Sequence, residues 1–204
     1  MSTRTSAPLP MRPAGISGRV FGWLMEWTNA SAYRLALEML APARDEAMVE
    51  IGFGTGRMIE LLAARMPAGR VAGIDPTETM LDVARNRRGV RGAGERIDLR
   101  LGDASHLPWP DAAFDGAAAL HSFQFWSDPL AGLGEVRRVL RSGGRFVLIL
   151  RAHDATRPPA WLPNPISRGP DEVAGTRAAL AAAGFVVQNR ERGWPDHALR
   201  AVKP

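Results

Sequence analysis

Gly52, Gly54 and Gly56, three glycines in five positions of "VEIGFGTGR", follow directly on an apolar run and open a segment of helical periodicity. Glycine accepts backbone angles that other residues avoid and lets a ligand come close to the main chain. The spacing is G-x-G-x-G, whereas the dinucleotide fingerprint G-x-G-x-x-G needs a third glycine where Arg57 stands. Glu50, two residues ahead of the first glycine, puts a carboxylate at the same turn. That charge repels a diphosphate and suits a cationic ligand. The loop therefore reads as a site for a nucleoside carrying positive charge. Asp75, Asp103 and His121 each stand at or just past the end of a strand-like run, where side chains from several strands can meet one ligand.

The elements that must position these residues alternate between strand and helix, the pattern of an α/β fold with a parallel sheet. "AMVEI" (47–51) reads as the first strand and "RMIELLAARM" (57–66) as a helix with Met58, Leu61, Leu62 and Met66 on one face. "RVAGI" (70–74) is a second strand, and "ETMLDVARNRR" (78–88) a second helix with Thr77 as its N-cap. "IDLRL" (97–101) alternates like a half-exposed strand, "FDGAAAL" (114–120) is a fourth strand, and "PLAGLGEVRRVL" (129–140) a helix. "RFVLIL" (145–150) is a buried fifth strand after the turn "RSGG". Ligands of open α/β sheets lie at the carboxyl ends of the strands, where the glycine loop sits.

The ends differ from this core. Residues 1–16 carry no long apolar stretch and read as a loose tail without a signal peptide or membrane span. Residues 17–44 begin with two amphipathic helical pieces broken near Asn29–Ser31, and 45–150 form the core. Residues 153–170 hold five prolines and are expected to be an irregular lid, set within a 151–170 connection. A last helix over 171–183 stops at Gly184, and two short strands, "FVVQNRERGW" and "HALRAV", suggest an antiparallel pair at a sheet edge. With 46% hydrophobic residues, the 204-residue chain can bury one core, so 17–204 is expected to be a single domain.

Charge and cysteine bound the function further. The net charge is +5 and Lys203 is the one lysine, so the basicity is arginine. Arg85, Arg87, Arg88 and Arg91 form one cluster and Arg137, Arg138 and Arg141 another, each beside a helix end. They read as solvated cations at helix termini, with a nucleic-acid patch as the alternative. The absence of cysteine excludes disulfides and thiolate metal sites and is compatible with the cytoplasm. No His/Asp spacing of metal ligands stands out.

Together the motifs resemble class I S-adenosylmethionine-dependent methyltransferases, in particular the small-molecule branch with ubiquinone-type and sterol-type enzymes. The likeness covers roughly residues 45–150 in family order. It implies a Rossmann-like, doubly wound, mostly parallel seven-stranded sheet with an antiparallel last strand and helices on both faces. "EIGFGTG" is similar to the first family motif, in which Glu50 would orient the amino-acid end of S-adenosylmethionine, and Gly52, Phe53, Gly54, Thr55 and Gly56 would surround it. In "GIDPTETMLDVAR", Asp75 would accept both ribose hydroxyls, with Pro76 and Met80 alongside. In "GDASHLPWPDAAFD", Asp103 would meet the adenine amino group, flanked by Gly102 and Ala104. "RVLRSGGRFVL" resembles the helix, turn and strand that follow. Asp75 also stands at about the 20-residue distance from the glycines at which such folds deliver an acid to a ribose. The residues alone leave Asp75 as a possible helix cap before Pro76, and Asp103 as a turn former.

A sulfonium methyl is already electrophilic, so its transfer needs alignment and exclusion of water rather than an obligatory catalytic residue. The product would be S-adenosylhomocysteine. Where the accepting atom must lose a proton, His121 is the candidate base; the alternative is a positioning residue touching the cofactor. Trp23, Trp27, Tyr33, Phe123, Phe125, Trp126 and Trp161 are candidates to line an apolar or aromatic small-molecule pocket; packing in the core is the other reading. The acceptor atom, O, N or C, is not encoded in these motifs, and monomer and homodimer stay equally open. "HSFQ" after the fourth strand differs from the Asn-Pro-Pro-Tyr of base-methylating enzymes, which argues against a nucleic-acid partner. Two competing functions remain: a cofactor-binding protein that does not methylate, and a nicotinamide oxidoreductase, which Glu50 and the glycine spacing disfavour.

Overall fold

The structure is a computed structural model that describes residues 29–152, 167–188 and 196–204. Strands β1 (Ala47–Ile51), β2 (Arg70–Asp75), β3 (Ile97–Leu101), β4 (Phe114–Leu120), β5 (Leu140–Ala152), β7 (Val186–Gln188) and β8 (Asp196–Val202) form one sheet in the order β3-β2-β1-β4-β5-β8-β7. A two-residue strand β6 (Ser167–Arg168) pairs with the end of β5. All pairings from β3 to β5 are parallel, and β8 runs antiparallel to both neighbours. The seven-stranded, mostly parallel sheet with an antiparallel last strand is as expected. From β1 the chain winds first toward β2 and β3, then crosses to β4 on the other side. The carboxyl ends of β1 and β4 therefore flank the crevice where the winding reverses.

Helices cover both faces. Helices α1 (Ala30–Leu40), α2 (Arg57–Arg65), α3 (Glu78–Arg85) and α4 (Arg88–Ala93) pack with Met48, Val71, Ala118, Val147 and Ile149 of the sheet. On the opposite face α5 (Pro129–Val139) and α6 (Pro170–Ala182) pack with Val49, Ile51, Ala117, Phe146 and Leu148. Successive strand residues thus enter opposite cores, and central strands read as unbroken apolar runs because both faces are buried.

Three expectations need correction. The helix expected over 78–88 breaks after Arg85: Asn86 Nδ2 donates to the Asp82 carbonyl, and Arg87 takes an extended conformation. The Arg87 guanidinium donates twice to Glu60 Oε2, at 3.1 and 2.9 Å, and the Gly89 amide donates to Glu60 Oε1. These contacts with α2 turn the chain and start α4. Secondly, β5 begins at Leu140 rather than 145. Its register jumps from Phe114↔Leu140 to Gly116↔Arg145, so "RSGG" is a bulge inside the ladder, held by Gly143 N–H to the Lys203 carbonyl and Lys203 N–H to the Gly144 carbonyl. Thirdly, the segment 153–170 is not wholly irregular: Ser167 and Arg168 keep the N–H groups that proline lacks and form β6, and α6 starts at Pro170, where a missing N–H costs nothing. The rest of that segment, 153–166, lies outside the described residues, as do the tail and the first amphipathic piece.

Arginines act as struts between distant elements. Arg138 donates to the Trp109 and Leu107 carbonyls at 2.9 Å while paired with Glu135. Arg145 donates to the Leu40 carbonyl and pairs with Glu46. Arg96 and Arg200 donate to the carbonyls of Met66 and Met39. In the first cluster singled out above, Arg85 bonds the Leu99 carbonyl and Arg87 bonds Glu60; in the second, Arg141 pairs with Asp115. Those three guanidiniums are engaged within the fold.

Candidate active site

A cavity of about 210 Å³ opens at the carboxyl ends of β1, β2, β3 and β4. Of the residues expected to meet a cofactor, Glu50, Gly52, Phe53, Gly54, Thr55, Asp75, Pro76, Met80, Gly102, Asp103, Ala104 and His121 all border it. Gly56 does not: it sits at the N-cap of α2 with a Cβ position 2.6 Å from Ala84 Cβ, so it serves helix packing. Tyr33, Phe125 and Trp126 line the cavity, whereas Phe123 is buried behind Trp126 in edge contact with it. Trp23, Trp27 and Trp161 lie outside the described residues. Asn29, Thr77 and Ser122, none of them among the expected site residues, also border the cavity.

The glycine loop is built by sterics and by two side chains. Gly52 has φ +78°, and a Cβ there would stand 2.4 Å from Ser122 Cβ. That closeness lets Ser122 Oγ donate to the Ile51 carbonyl at 2.6 Å, joining the loops after β1 and β4. Gly54 has φ +51°, and a Cβ there would meet nothing within 4 Å: the loop offers bare backbone to open space. Asp75 Oδ2 accepts the Gly54 N–H at 2.9 Å, and Oδ1 accepts the Thr77 N–H at 3.0 Å. Thr77 occupies the N-cap of α3, but its side chain makes no capping bond to the helix.

Electrostatics separate the three carboxylates. Glu50 is 2% exposed, its Oε2 has no hydrogen-bond partner, and its carboxyl is pushed well above the usual range by burial and by neighbouring Asp75, with the Ile59 amide pulling the other way. Asp75 is raised by burial, against the Gly54 and Thr77 amides. For Asp103 burial also raises, but the Ser105 amide and hydroxyl and the Ser127 hydroxyl outweigh it and hold the carboxyl below its ordinary value. A buried carboxylate oxygen without a donor favours a ligand that brings a cation. With bare backbone at Gly54, the cavity suits the sulfonium nucleoside and its ammonium group.

His121 has φ +53°, a left-handed conformation uncommon for a residue with a side chain. Its amide donates to the Ile149 carbonyl at 2.8 Å, which fixes that turn at the end of β4. The side chain is 4% exposed and both ring nitrogens lack hydrogen-bond partners. Burial, then the Arg151 charge, pushes its pKa down to about 3. The ring is neutral at neutral pH.

Among the described residues, no group of three or more His, Asp or Glu side chains could hold a metal ion, and no helix is long and apolar enough to cross a membrane.

Comparison with known proteins agrees with this geometry. Residues 49–148 match the family model described as a methyltransferase domain. Demethylmenaquinone methyltransferase from Thermus thermophilus is 37% identical over 131 residues, which is 63% of this chain and 56% of that protein. The chain spans about half the length of the curated relatives it matches. Among solved structures, an S-adenosylmethionine-dependent methyltransferase from Aquifex aeolicus superposes with TM-score 0.71 at 21% identity, covering 84% of this chain and 89% of its own. The cyclase SpnF superposes with TM-score 0.69, also at 21% identity, covering 93% of this chain and 84% of its own. Residues 49–148 thus carry a methyltransferase domain, set on a Rossmann-like sheet with the fold of S-adenosylmethionine-dependent methyltransferases.

Proposed function

We propose that the protein transfers the methyl group of S-adenosylmethionine in-line to an O, N or C atom of a small apolar or aromatic acceptor. The observation that carries this reading is one cavity lined by Glu50, the glycine loop, Asp75 and Asp103 together with Tyr33, Phe125, Trp126 and His121. The first group would hold the cofactor: Glu50 toward the ammonium, Asp75 toward the ribose hydroxyls, Asp103 toward the adenine amino group, with Met80 and Ala104 supplying apolar contact. When bound, the sulfonium supplies an electrophilic methyl carbon. The chain itself contributes alignment and a dry site: buried Trp126, Met80 and Ala104 exclude water, and the aromatic wall fixes the acceptor's plane.

The same reading takes 17–204 as one domain, acting as a monomer or homodimer on a small molecule in the cytoplasm; the lack of cysteine is compatible with that compartment. A second reading, a cofactor-binding protein that does not methylate, has one observation behind it: the cyclase SpnF shares the fold, and fold alone does not fix a reaction.

Calorimetric titration with S-adenosylmethionine and separately with NADH, on the wild type and Asp75→Ala, tests the proposal. Micromolar binding of the first alone, weakened in the variant, is expected. A folded wild type that ignores S-adenosylmethionine overturns the proposal. Tight cofactor binding with no turnover on hydroxyl, amine or carbon acceptors selects the second reading.

A further inference from the structure

Three buried polar atoms lacking hydrogen-bond partners gather beside the cavity that His121 lines: both ring nitrogens of His121 and Oδ1 of Asp196. Asp196 opens β8 and is 3% exposed. Its Oδ1 stands 3.4 Å from His121 Nε2 and 3.3 Å from Arg151 Nη1, and its Oδ2 accepts from Ser31 Oγ at 3.4 Å. Arg151 also donates to Asn29 Oδ1, and Asn29 borders the cavity. Four chain-distant segments thus converge behind one imidazole whose backbone is held at φ +53°. Buried polar groups left unpaired, next to a strained residue, concentrate where a ligand completes the arrangement.

We infer that Asp196 is a positioning residue that keeps the proton of His121 on Nε2, leaving Nδ1 as the bare nitrogen that takes the proton of a hydroxyl-bearing acceptor. This deepens the proposed function and rests on it. Burial raises the Asp196 carboxyl and the Arg151 charge opposes this; ionised, Asp196 can only accept, so a proton on Nε2, 3.4 Å from Oδ1, faces the carboxylate, and Arg151 with Ser31 holds that carboxylate in place. As the methyl arrives, an oxygen lone pair forms the O–C bond and the C–S pair leaves to sulfur. The O–H bond then breaks, its pair staying on oxygen and its proton going to Nδ1. Because burial and Arg151 depress the basicity of His121, the ring takes the proton as the O–C bond forms rather than in advance. An oxygen gaining a methyl while still protonated is an oxonium, far more acidic than an imidazolium, so a weak base suffices. An amine, already a nucleophile when neutral, needs no such help. The arrangement therefore serves a hydroxyl rather than an amine.

Long-range proton–nitrogen NMR correlations on isotope-labelled protein read the tautomer directly, with His121→Asn assigning the resonance; Asn tolerates the left-handed backbone. The expected result is a neutral ring protonated on Nε2 across about pH 5 to 8. In Asp196→Asn, whose amide can donate as well as accept, the preference is lost while S-adenosylmethionine affinity stays within about threefold. With S-adenosylhomocysteine bound, p-propylphenol should bind about tenfold more tightly than its methyl ether and shift the Nδ1 resonance. A ring protonated on Nδ1, a tautomer unmoved in Asp196→Asn, or equal or absent binding of phenol and ether overturns the inference. Failure of S-adenosylmethionine itself to bind sinks the proposed function instead, so the two failures are distinct.

Discussion

Asp75 and Gly54, 21 positions apart, are joined by a 2.9 Å hydrogen bond from the glycine amide to Oδ2. The residue assigned to the ribose is thus also the fastener of the glycine loop, and its other oxygen, Oδ1, holds the Thr77 amide ahead of α3. Replacement by Asn substitutes a donor for one of these acceptors. Hydrogen bonds to a charged group are worth about 1.5–3 kcal/mol each. Asp75→Asn should therefore weaken S-adenosylmethionine binding by about 10- to 100-fold and lower the melting temperature by a few degrees. Unchanged affinity in calorimetry would remove Asp75 from the cofactor site.

Alanine at Gly52 and at Gly54 should separate stability from binding. Both positions demand a left-handed backbone, which costs an ordinary residue about 1–2 kcal/mol. Only Gly52 adds a steric overlap, with Ser122, of the kind that costs about 1–3 kcal/mol more. Gly52→Ala should lose more in denaturant unfolding. Gly54→Ala, whose methyl enters open space in the cavity, should lose less stability but a larger share of cofactor affinity than its fold cost explains.

Glu50 predicts a proton released on binding. Burial and Asp75 raise its carboxyl in the free protein, and an ammonium beside it would lower it again. The complex then holds fewer protons than the free protein, so affinity should rise with pH until Glu50 ionises unaided. Titrations in two buffers of different ionisation enthalpy measure the released proton; Glu50→Gln should abolish it. Equal apparent enthalpies in the wild type would contradict the assignment.

His121 sets an acid limit on stability. Folded, its pKa is depressed from 6.5 to about 3; unfolded, it titrates normally. Its contribution is complete above the unfolded value. It is lost as pH falls from 6.5 toward 3, because only the unfolded chain gains the proton, at about 1.4 kcal/mol per pH unit. The difference in unfolding free energy between wild type and His121→Asn should carry that slope in that window. A flat difference would mean that the ring is not buried in solution.

The strands around the site were legible because doubly buried strands are apolar runs and the glycines stand at a strand–helix junction: Ala47–Ile51 and Phe114–Leu120 match their expected bounds. The break after Arg85 was not legible, since it depends on Glu60, 27 positions before Arg87. The bulge at Arg141–Gly144 likewise depends on Lys203 at the far end of the chain. At the site, the residues carried by motifs reached the cavity except Gly56, which packs against Ala84. Asp196 escaped sequence reading because it matters through Arg151 and His121, and "PDH" offers no sign of a long-range partner.

The arginine struts bear on what the isoelectric point of about 11.0 means. A guanidinium can reach two carbonyls and a carboxylate at once, as Arg138 does with Trp109, Leu107 and Glu135; an ammonium lacks that planar fork. Much of the basicity is joinery rather than a surface field. Bulk exchange of arginine for lysine, neutral for net charge at pH 7, would here pull out pegs between helices and strands up to 161 positions apart, and the protein would keep that charge while losing its frame.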